Sequence, residues 1–442
     1  MKEYLIGLDV GTTGGKSCIF DLDGTLISSH YEEYPIITDP DNPGLVEQDM
    51  DFMTEKLFEI VRKSIEKSSV DPSNIKALGL STQGASIVYC DEDGNAIGNG
   101  IVWQDMRGFE VTKELEKGMS VLSYMKEAFT PRIGYSTLAK QIWMQKHKPD
   151  VVKRAAHVAN VQEYVLRQFG ATEWLTDAAS TVRESSGNMK EHYYSEKIYK
   201  AYGLDMSKRG KRVDNGTVAC EVSEEVSKKT GLPVGCKICV GAMDQTCSPF
   251  GCGMYKNGDT VVTIGTIGCS YVCTDKLTYV PGSTLNWKSH MFFENGMKNY
   301  TAEVMTFAAA SAYKWLRDTI CHKECIQAVD EDKDVYEILN DAIKASVPGA
   351  HGVTFLPFLQ GRSYCPPDEF ATGSYNGNLS TATFTGMRMA TRREDLVRAV
   401  AEGILYDTRE ELTILEENGL VIGDIVVNGG VTNSPYWCQM RP

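Results

Sequence analysis

The sequence lacks an excess of positive charge. Its 442 residues contain 45 Lys and Arg against 59 Asp and Glu, a formal net charge of −14. A protein that binds nucleic acid needs a positive surface, because it must neutralise the phosphate backbone. The composition therefore excludes nucleic acid as a partner, but not a local phosphate site built from backbone N–H groups and a divalent cation.

Long apolar runs and dense cysteines are also missing. No run of about 20 apolar residues could span a membrane, and the N-terminal apolar run carries Asp9, unlike a signal peptide. The 13 cysteines are too sparse for a disulfide scaffold, and Cys236 and Cys239 have no second matching pair. We expect reduced core thiols in a cytoplasmic protein without a membrane partner.

The sequence does contain strands interleaved with helices. Apolar, β-prone segments at 5–10, 17–20, 75–80 and 87–90 predict strands, and Asp23-Gly24 predicts a hairpin turn. Residues 50–67 predict a helix capped by Asp49, with one apolar face at helical spacing. This alternation predicts an α/β layered fold.

A strand, a glycine turn and a second strand occur twice. The first copy includes Gly11-Thr12-Thr13-Gly14, and the second is a strand at 260–264 followed by Gly265-Thr266-Ile267-Gly268. The repeat predicts two related domains, residues 1–246 and 247–442. In the second domain, the pattern predicts a helix at 393–416 and then a strand at 424–428, which ends in Gly429-Gly430.

These turns have two interpretations. Glycine lets backbone N–H groups approach phosphate oxygens and threonine adds a hydroxyl donor, whereas an ordinary hairpin needs the same residues for its own geometry. Three such turns favour phosphate and nucleoside binding. The pattern is neither a Walker A loop nor a dinucleotide-binding fingerprint.

Two aspartates follow or end strands near these turns. Asp9 either caps the first turn or holds Mg²⁺, a cation that prefers oxygen ligands. Asp244 follows a strand and precedes the second glycine turn. It is the candidate general base for phosphoryl transfer to a hydroxyl group, with Gln245 as a positioning partner.

Several strings, in order, resemble the FGGY family of carbohydrate kinases: IGLDVGTTGGKSCIFD, GLVEQD, IVWQDMRG, GAMDQ, IGTIG, TGMRMATRREDLVRAVAEGI and VNGGVTNSP. They run from residue 4 to residue 437. The DVGTT string alone would also suit an actin-like or Hsp70-type ATPase.

The resemblance implies a fold and a reaction. The fold would be two ribonuclease H/actin-like ATPase domains of the hexokinase–actin superfamily around a catalytic cleft. The reaction would be ATP- and Mg²⁺-dependent phosphorylation of a sugar or polyol hydroxyl. The second domain would then be short, because the family continues for several dozen residues past the Gly429-Gly430 turn.

The resemblance also implies roles for individual residues. Asp244 would be the general base and Asp9 the metal ligand. The phosphate and nucleoside contacts would be Thr12, Thr13, Lys16, Gly265, Thr266, Gly429, Gly430 and Asn433. The substrate side would comprise Gln83, Gly84, Trp103, Asp105, Arg107 and Gln245; for Trp103, a half-buried packing role stays open.

Substrate choice should depend on Gln83-Gly84-Ala85. Glycerol kinases carry Gln-Arg-Glu there and typical xylulokinases Gln-Met-His, so this chain has neither pair. Two small residues leave room for a larger polyol, and we expect a pentulose such as xylulose. Erythritol and gluconate are alternatives, and glycerol is the least favoured.

Two other functions compete with a sugar kinase. A non-catalytic sugar- or nucleotide-responsive protein would keep the fold without turnover. An actin- or chaperone-type ATPase would hydrolyse ATP regardless of sugar. A homodimer is the general expectation for a soluble enzyme.

Overall fold

The computed structural model describes residues 2–130, 132, 134–278, 285–293, 298–362 and 380–440. The chain divides into two compact units. Unit 1 comprises Met1–Gly251 and Trp287–Asn299, and unit 2 comprises Cys252–Asn286 and Tyr300–Pro442.

Six strands of the described residues form the main sheet of unit 1. They are β1 (Tyr4–Val10), β2 (Gly14–Asp21), β3 (Leu26–Glu33), β4 (Ile75–Thr82), β5 (Val218–Glu221) and β6 (Lys237–Met243). Their order is β5-β6-β4-β1-β2-β3. The meander β1-β2-β3 is antiparallel, whereas β4 runs parallel to both β1 and β6.

The helix Met50–Lys67 covers one face of this sheet. Asp49 caps it by accepting a hydrogen bond from the Phe52 N–H. The predicted apolar face is buried, and Leu57 packs so closely on β2 that a Cβ on Gly15 would lie 2.8 Å from its Cδ2. The predicted helix, its cap and its buried face are confirmed.

Other elements of unit 1 surround this sheet. Its further helices are Thr112–Gly118, Val121–Ala128, Thr137–His147, Pro149–Arg154, Val161–Gln168, Ala178–Thr181, Glu196–Ala201, Glu224–Thr230 and Asp244–Gly251. Its short strands are Ile37–Asp39, Asn42–Gln48, Val88–Cys90, Gly100–Ile101, His157–Ala159, Leu175–Thr176, Gly187–Asn188, Tyr193–Tyr194 and Lys211–Arg212. A longer strand, Asn286–Phe292, brings residues from 287 onward into unit 1.

Unit 2 repeats the core topology of unit 1. Its strands β7 (Thr260–Ile264), β8 (Gly268–Thr274), β9 (Lys298–Thr306) and β10 (Ile425–Asn428) lie in the order β9-β8-β7-β10. As in unit 1, an antiparallel meander is followed by a strand parallel to the first. The two units thus share a core topology, and the domain bounds 1–246 and 247–442 stay a prediction.

Helices and a small sheet complete unit 2. The helices are Ala310–Thr319, His322–Asp330, Val335–Lys344, Arg393–Glu417 and Pro435–Gln439, and the small sheet pairs Thr354–Leu356 with Thr383–Thr385. Within the described part of the chain, no helix is long and apolar enough to cross a membrane. Cys236 and Cys239 are free thiols.

Candidate active site

Asp244 stands at the junction between β6 and the helix that follows it. It is the first residue of the helix Asp244–Gly251, and β6 changes its pairing register with β4 just before its last two residues. At Gly241 a Cβ would lie only 1.6 Å from the carbonyl oxygen of Leu80. Glycine is therefore required at this irregularity, which sets where Asp244 leaves the sheet.

Two amide side chains hold the irregular segment in place. The Gly241 N–H donates to Oε1 of Gln162 at 2.7 Å, and the Gly241 carbonyl accepts from Nδ2 of Asn215. Gln162 is itself oriented, because its Nε2 donates to Oδ1 of the buried Asp177 at 2.9 Å. The backbone that leads into Asp244 is thus bonded on both sides.

Asp9 lies at the corresponding end of β1, between two polar neighbours. Its register partners are Lys16 on β2 and Ser81 on β4, and the Ser81 hydroxyl donates to Oδ1 of Asp9 at 2.7 Å. Desolvation by the surrounding protein raises the pKa of Asp9, opposed by this hydrogen bond and by the charge of Lys16. The carboxylate nonetheless remains accessible to solvent.

Asp9 fits a magnesium ion that arrives with a nucleotide. The described residues contain no group of three or more His, Cys, Asp or Glu that could hold a metal by themselves. Mg²⁺ bound to phosphates needs only one or two protein carboxylates, because water and phosphate oxygens fill its other positions. One accessible carboxylate satisfies that requirement.

Thr12 links the first glycine turn to the predicted substrate residues. Its hydroxyl donates to Oε1 of Gln83 at 3.2 Å and accepts from Nε1 of Trp103 at 2.8 Å. Gln83 is buried and also donates to Oε1 of Gln48 at 2.7 Å. The structure therefore joins Thr12, Gln83 and Trp103 in one network, next to the more exposed Thr13.

Asp105 and Arg107, in the segment that follows Trp103, form a buried ion pair. Asp105 is 1% exposed and Arg107 5%, and Nε of Arg107 donates to Oδ2 of Asp105 at 2.8 Å. The same carboxylate accepts from the Val46 N–H, while Nη2 of Arg107 donates to Glu47. These contacts fix the segment that carries Trp103, and direct contact of the pair with sugar stays a prediction.

In unit 2 the two predicted glycine turns lie side by side. They follow the neighbouring parallel strands β7 and β10, in which Thr263 is paired with Asn428. Gly429 has a φ of 104°, and a Cβ there would lie 2.3 Å from the Ile264 carbonyl oxygen. Glycine at 429 is thus required for this approach.

The turn after β7 is tied to the helix Ala310–Thr319. The Gly265 carbonyl accepts from the Ala310 N–H at 2.8 Å, and the Thr266 carbonyl accepts from the N–H groups of Ala309 and Ser311. Because a trans peptide points its N–H opposite to its C=O, the N–H groups of Thr266 and Ile267 point away from this helix. Two such neighbouring N–H groups are suited to bind an anion. In the turn after β10, Gly430 and Asn433 are exposed.

Both units match sequence profiles of one family. Residues 4–251 match the N-terminal domain of the FGGY family of carbohydrate kinases, and residues 260–441 match its C-terminal domain. The chain belongs to the FGGY family of carbohydrate kinases.

Related FGGY kinases differ in their named substrates. A xylulose kinase from Bacillus subtilis (strain 168) is 27% identical over an alignment of 447 positions, which covers 99% of this chain and 83% of that protein. A glycerol kinase from Thermococcus onnurineus is 25% identical, over 100% of this chain and 84% of the relative. A gluconokinase from Bacillus subtilis (strain 168) is 24% identical, over 100% and 82%.

Solved structures confirm the FGGY fold. The xylulose kinase from Rhodospirillum rubrum superposes with a TM-score of 0.85 at 20% identity, covering 99% of this chain and 83% of that one. Plasmodium falciparum glycerol kinase with ADP gives a TM-score of 0.82 at 19% identity, covering 99% and 84%. The predicted two-domain actin-like architecture is therefore confirmed.

Sequence reasoning missed two buried lysines of this FGGY kinase. Lys140 is 1% exposed, and its Nζ donates at 3.0 Å to the carbonyl of Ala85, which has a φ of 57° next to Gly84. Burial lowers the pKa of Lys140 to about 7, although the charge of Asp105 opposes the shift. Lys140 therefore supports the loop whose composition was expected to set substrate choice.

The second missed residue, Lys288, adjoins the candidate base. Its side chain is fully buried, and its Nζ donates to Oε1 of Gln245 at 2.9 Å. The Gln245 N–H in turn donates to Oδ1 of Asp244 at 2.7 Å. A lysine reads as exposed both on a helix, as at Lys140, and on a strand, as at Lys288, so only the tertiary structure identifies either residue as buried.

Proposed function

We propose that this carbohydrate kinase transfers the γ-phosphoryl group of ATP to a hydroxyl of a pentulose such as xylulose, with Asp244 as general base. The observation that carries the proposal is the placement of Asp244, which follows a backbone segment held by Gln162 and Asn215. A fixed carboxylate suits phosphoryl transfer, because that reaction depends on alignment and charge neutralisation.

The reaction balances without a further reactant. The sugar hydroxyl oxygen forms a bond to the γ-phosphorus as the bond from that phosphorus to the β–γ bridging oxygen breaks, leaving ADP. The hydroxyl proton passes to the carboxylate of Asp244 and then to solvent. When bound, Mg²⁺ would neutralise phosphate charge, with Asp9 as its protein ligand.

The proposal assigns candidate nucleotide contacts within each unit by itself. Thr12, Thr13 and Lys16 are the candidate phosphate contacts of unit 1, and Gly265 and Thr266 are those of unit 2. The N–H groups of Thr266 and Ile267, which point away from the helix Ala310–Thr319, support the assignment of Gly265 and Thr266, because they can donate hydrogen bonds to an anion. Gly429, Gly430 and Asn433 would contact the nucleoside.

Xylulose is the favoured substrate for two reasons. Xylulose kinases recur among the relatives and solved neighbours, and the loop Gln83-Gly84-Ala85 lacks the Arg-Glu pair expected for glycerol. Gluconate is the second candidate, because a gluconokinase aligns over the whole chain.

The test is Asp244→Asn, assayed by ADP release with Mg-ATP and a panel of xylulose, gluconate, erythritol and glycerol. We expect xylulose to give the highest kcat/KM, and the variant to lose about 100- to 10,000-fold in kcat with little change in KM. Asp91→Asn is the matched control, because Asp91 accepts turn hydrogen bonds that asparagine can also accept.

Three results would contradict the proposal. Full turnover by Asp244→Asn would reject the base. Sugar binding by calorimetry without any phosphorylated product would favour a non-catalytic protein, and ATP hydrolysis that ignores sugar would favour a general ATPase.

A further inference from the structure

Lys288 occupies a costly position in unit 1. Its side chain is 0% exposed, and a buried ammonium group loses hydration that only good hydrogen bonds replace. The strand that carries it is fixed on unit 1, because Ser289 is hydrogen-bonded to Nδ1 of His192 at 2.7 Å and the Phe292 N–H donates to Oδ1 of Asn215 at 2.7 Å. The ammonium group is therefore held beside Gln245.

The contact with Lys288 settles which way the amide of Gln245 points. Nζ of Lys288 donates to Oε1 of Gln245 at 2.9 Å, and a protonated lysine, which only donates hydrogen bonds, favours the amide oxygen in this position. The NH₂ group of Gln245 is consequently turned away from Lys288. An amide without such a partner could adopt either orientation.

The NH₂ group then remains as a donor beside the proposed base. The backbone N–H of Gln245 already donates to Asp244. Among the described residues, no acceptor is hydrogen-bonded to Nε2 of Gln245. Gln245 is only partly buried. A sugar oxygen next to the reacting hydroxyl would meet this donor, while the carboxylate of Asp244 takes the proton.

We propose that Lys288 is a positioning residue, which fixes the amide of Gln245 so that its NH₂ group donates to a sugar oxygen beside Asp244. This inference rests on the proposed function, because it assigns a role within the same site. In this proposed role Lys288 acts through its hydrogen bond to Gln245 and not on the reacting oxygen or the phosphate.

The test is a double-mutant cycle of Lys288→Met and Gln245→Ala, measured as kcat and KM for xylulose and KM for ATP. Methionine keeps the length of the side chain but cannot donate. We expect Lys288→Met to lose about tenfold in kcat/KM for xylulose, mainly through KM, and to leave KM for ATP within twofold. In the Gln245→Ala background the same change should cost less than twofold.

Several outcomes would overturn the inference. A loss that is equal in both backgrounds would give Lys288 a purely structural role, and unchanged kinetics would give it none. If Lys288→Met does not fold, Lys288→Gln takes its place in the cycle. Because glutamine retains an N–H donor, this variant should keep most of the wild-type kcat/KM. A tenfold loss of kcat/KM in Lys288→Gln would overturn the inference. Wild-type protein without sugar-dependent ADP release would reject the proposed function itself, and this role with it.

Discussion

The carbonyl oxygen of Leu80 on β4 lies only 1.6 Å from the position that a Cβ of residue 241 on β6 would occupy. The contact is possible only because residue 241 is glycine. Since Asp244 follows three residues later, the approach of these two strands determines where the proposed base leaves the sheet.

Gly241→Ala should therefore separate the strands and displace Asp244. We expect a loss of about 3 kcal/mol in the free energy of unfolding, and a kcat about 100-fold lower in the protein that still folds, because small misplacements of a catalytic group are costly. Denaturant unfolding and steady-state kinetics measure the two effects. Gly79→Ala is the control, since no heavy atom lies within 4 Å of a Cβ built there on β4; equal losses in both variants would refute the explanation.

Trp103→Phe should weaken sugar binding. The change keeps an aromatic ring but removes the indole N–H that donates to Thr12 at 2.8 Å, so the Thr12 hydroxyl loses one of its two hydrogen bonds and is held only by Gln83. We expect KM for xylulose to rise about three- to tenfold with kcat nearly unchanged. Trp174→Phe is the matched control, because Trp174 stacks on His157 elsewhere in unit 1. An unchanged KM in Trp103→Phe would leave Trp103 a packing residue.

Lys140 should make stability depend on pH. Its pKa is lowered from 10.5 in the unfolded chain to about 7 in the folded protein, so between these values the unfolded state binds more protons and stability rises with pH. Lys140→Met removes this dependence. Its free energy of unfolding relative to wild type should therefore fall from pH 7 to pH 9, by at most about 1.4 kcal/mol per pH unit.

Denaturant unfolding of both proteins across this pH range measures the effect. Lys146→Met in the same helix is the control, because Lys146 is exposed and paired with Glu114. Parallel stability curves for Lys140→Met and wild type would show that Lys140 does not titrate in this range.

The sequence predicted the elements whose causes are local. The helix Met50–Lys67 was predicted at its observed bounds, because a capping carboxylate and the spacing of apolar residues are both readable along the chain. The strands β1 and β7 and the paired glycine turns followed from the same kind of local pattern. The positions of Asp9 and Asp244 beside the glycine turns made them candidates for a metal ligand and a base. The family resemblance favoured the same roles, which stay predictions.

The parts of the site that were missed depend on distant residues. Gln162 and Asn215 hold Gly241 from 79 and 26 residues away along the chain, and Lys288 reaches Gln245 from 43 residues away. The sequence also could not predict that Asp105 and Arg107 are buried. A charged side chain is expected to be exposed unless its partners are known, and here Arg107 pairs with both Asp105 and Glu47. Such pairings are set by tertiary packing, not by neighbours in sequence.

The clamped backbone before Asp244 has a consequence for how regioselectivity can evolve. With Asp244 as the proposed base, the bonded main chain of Gly241 limits how far the carboxylate can follow the substrate. The orientation of the bound sugar would then decide which of its oxygens receives phosphorus. New preferences can then arise by altering the side chains that orient the sugar, including the small residues after Gln83, while the acid–base chemistry is inherited intact.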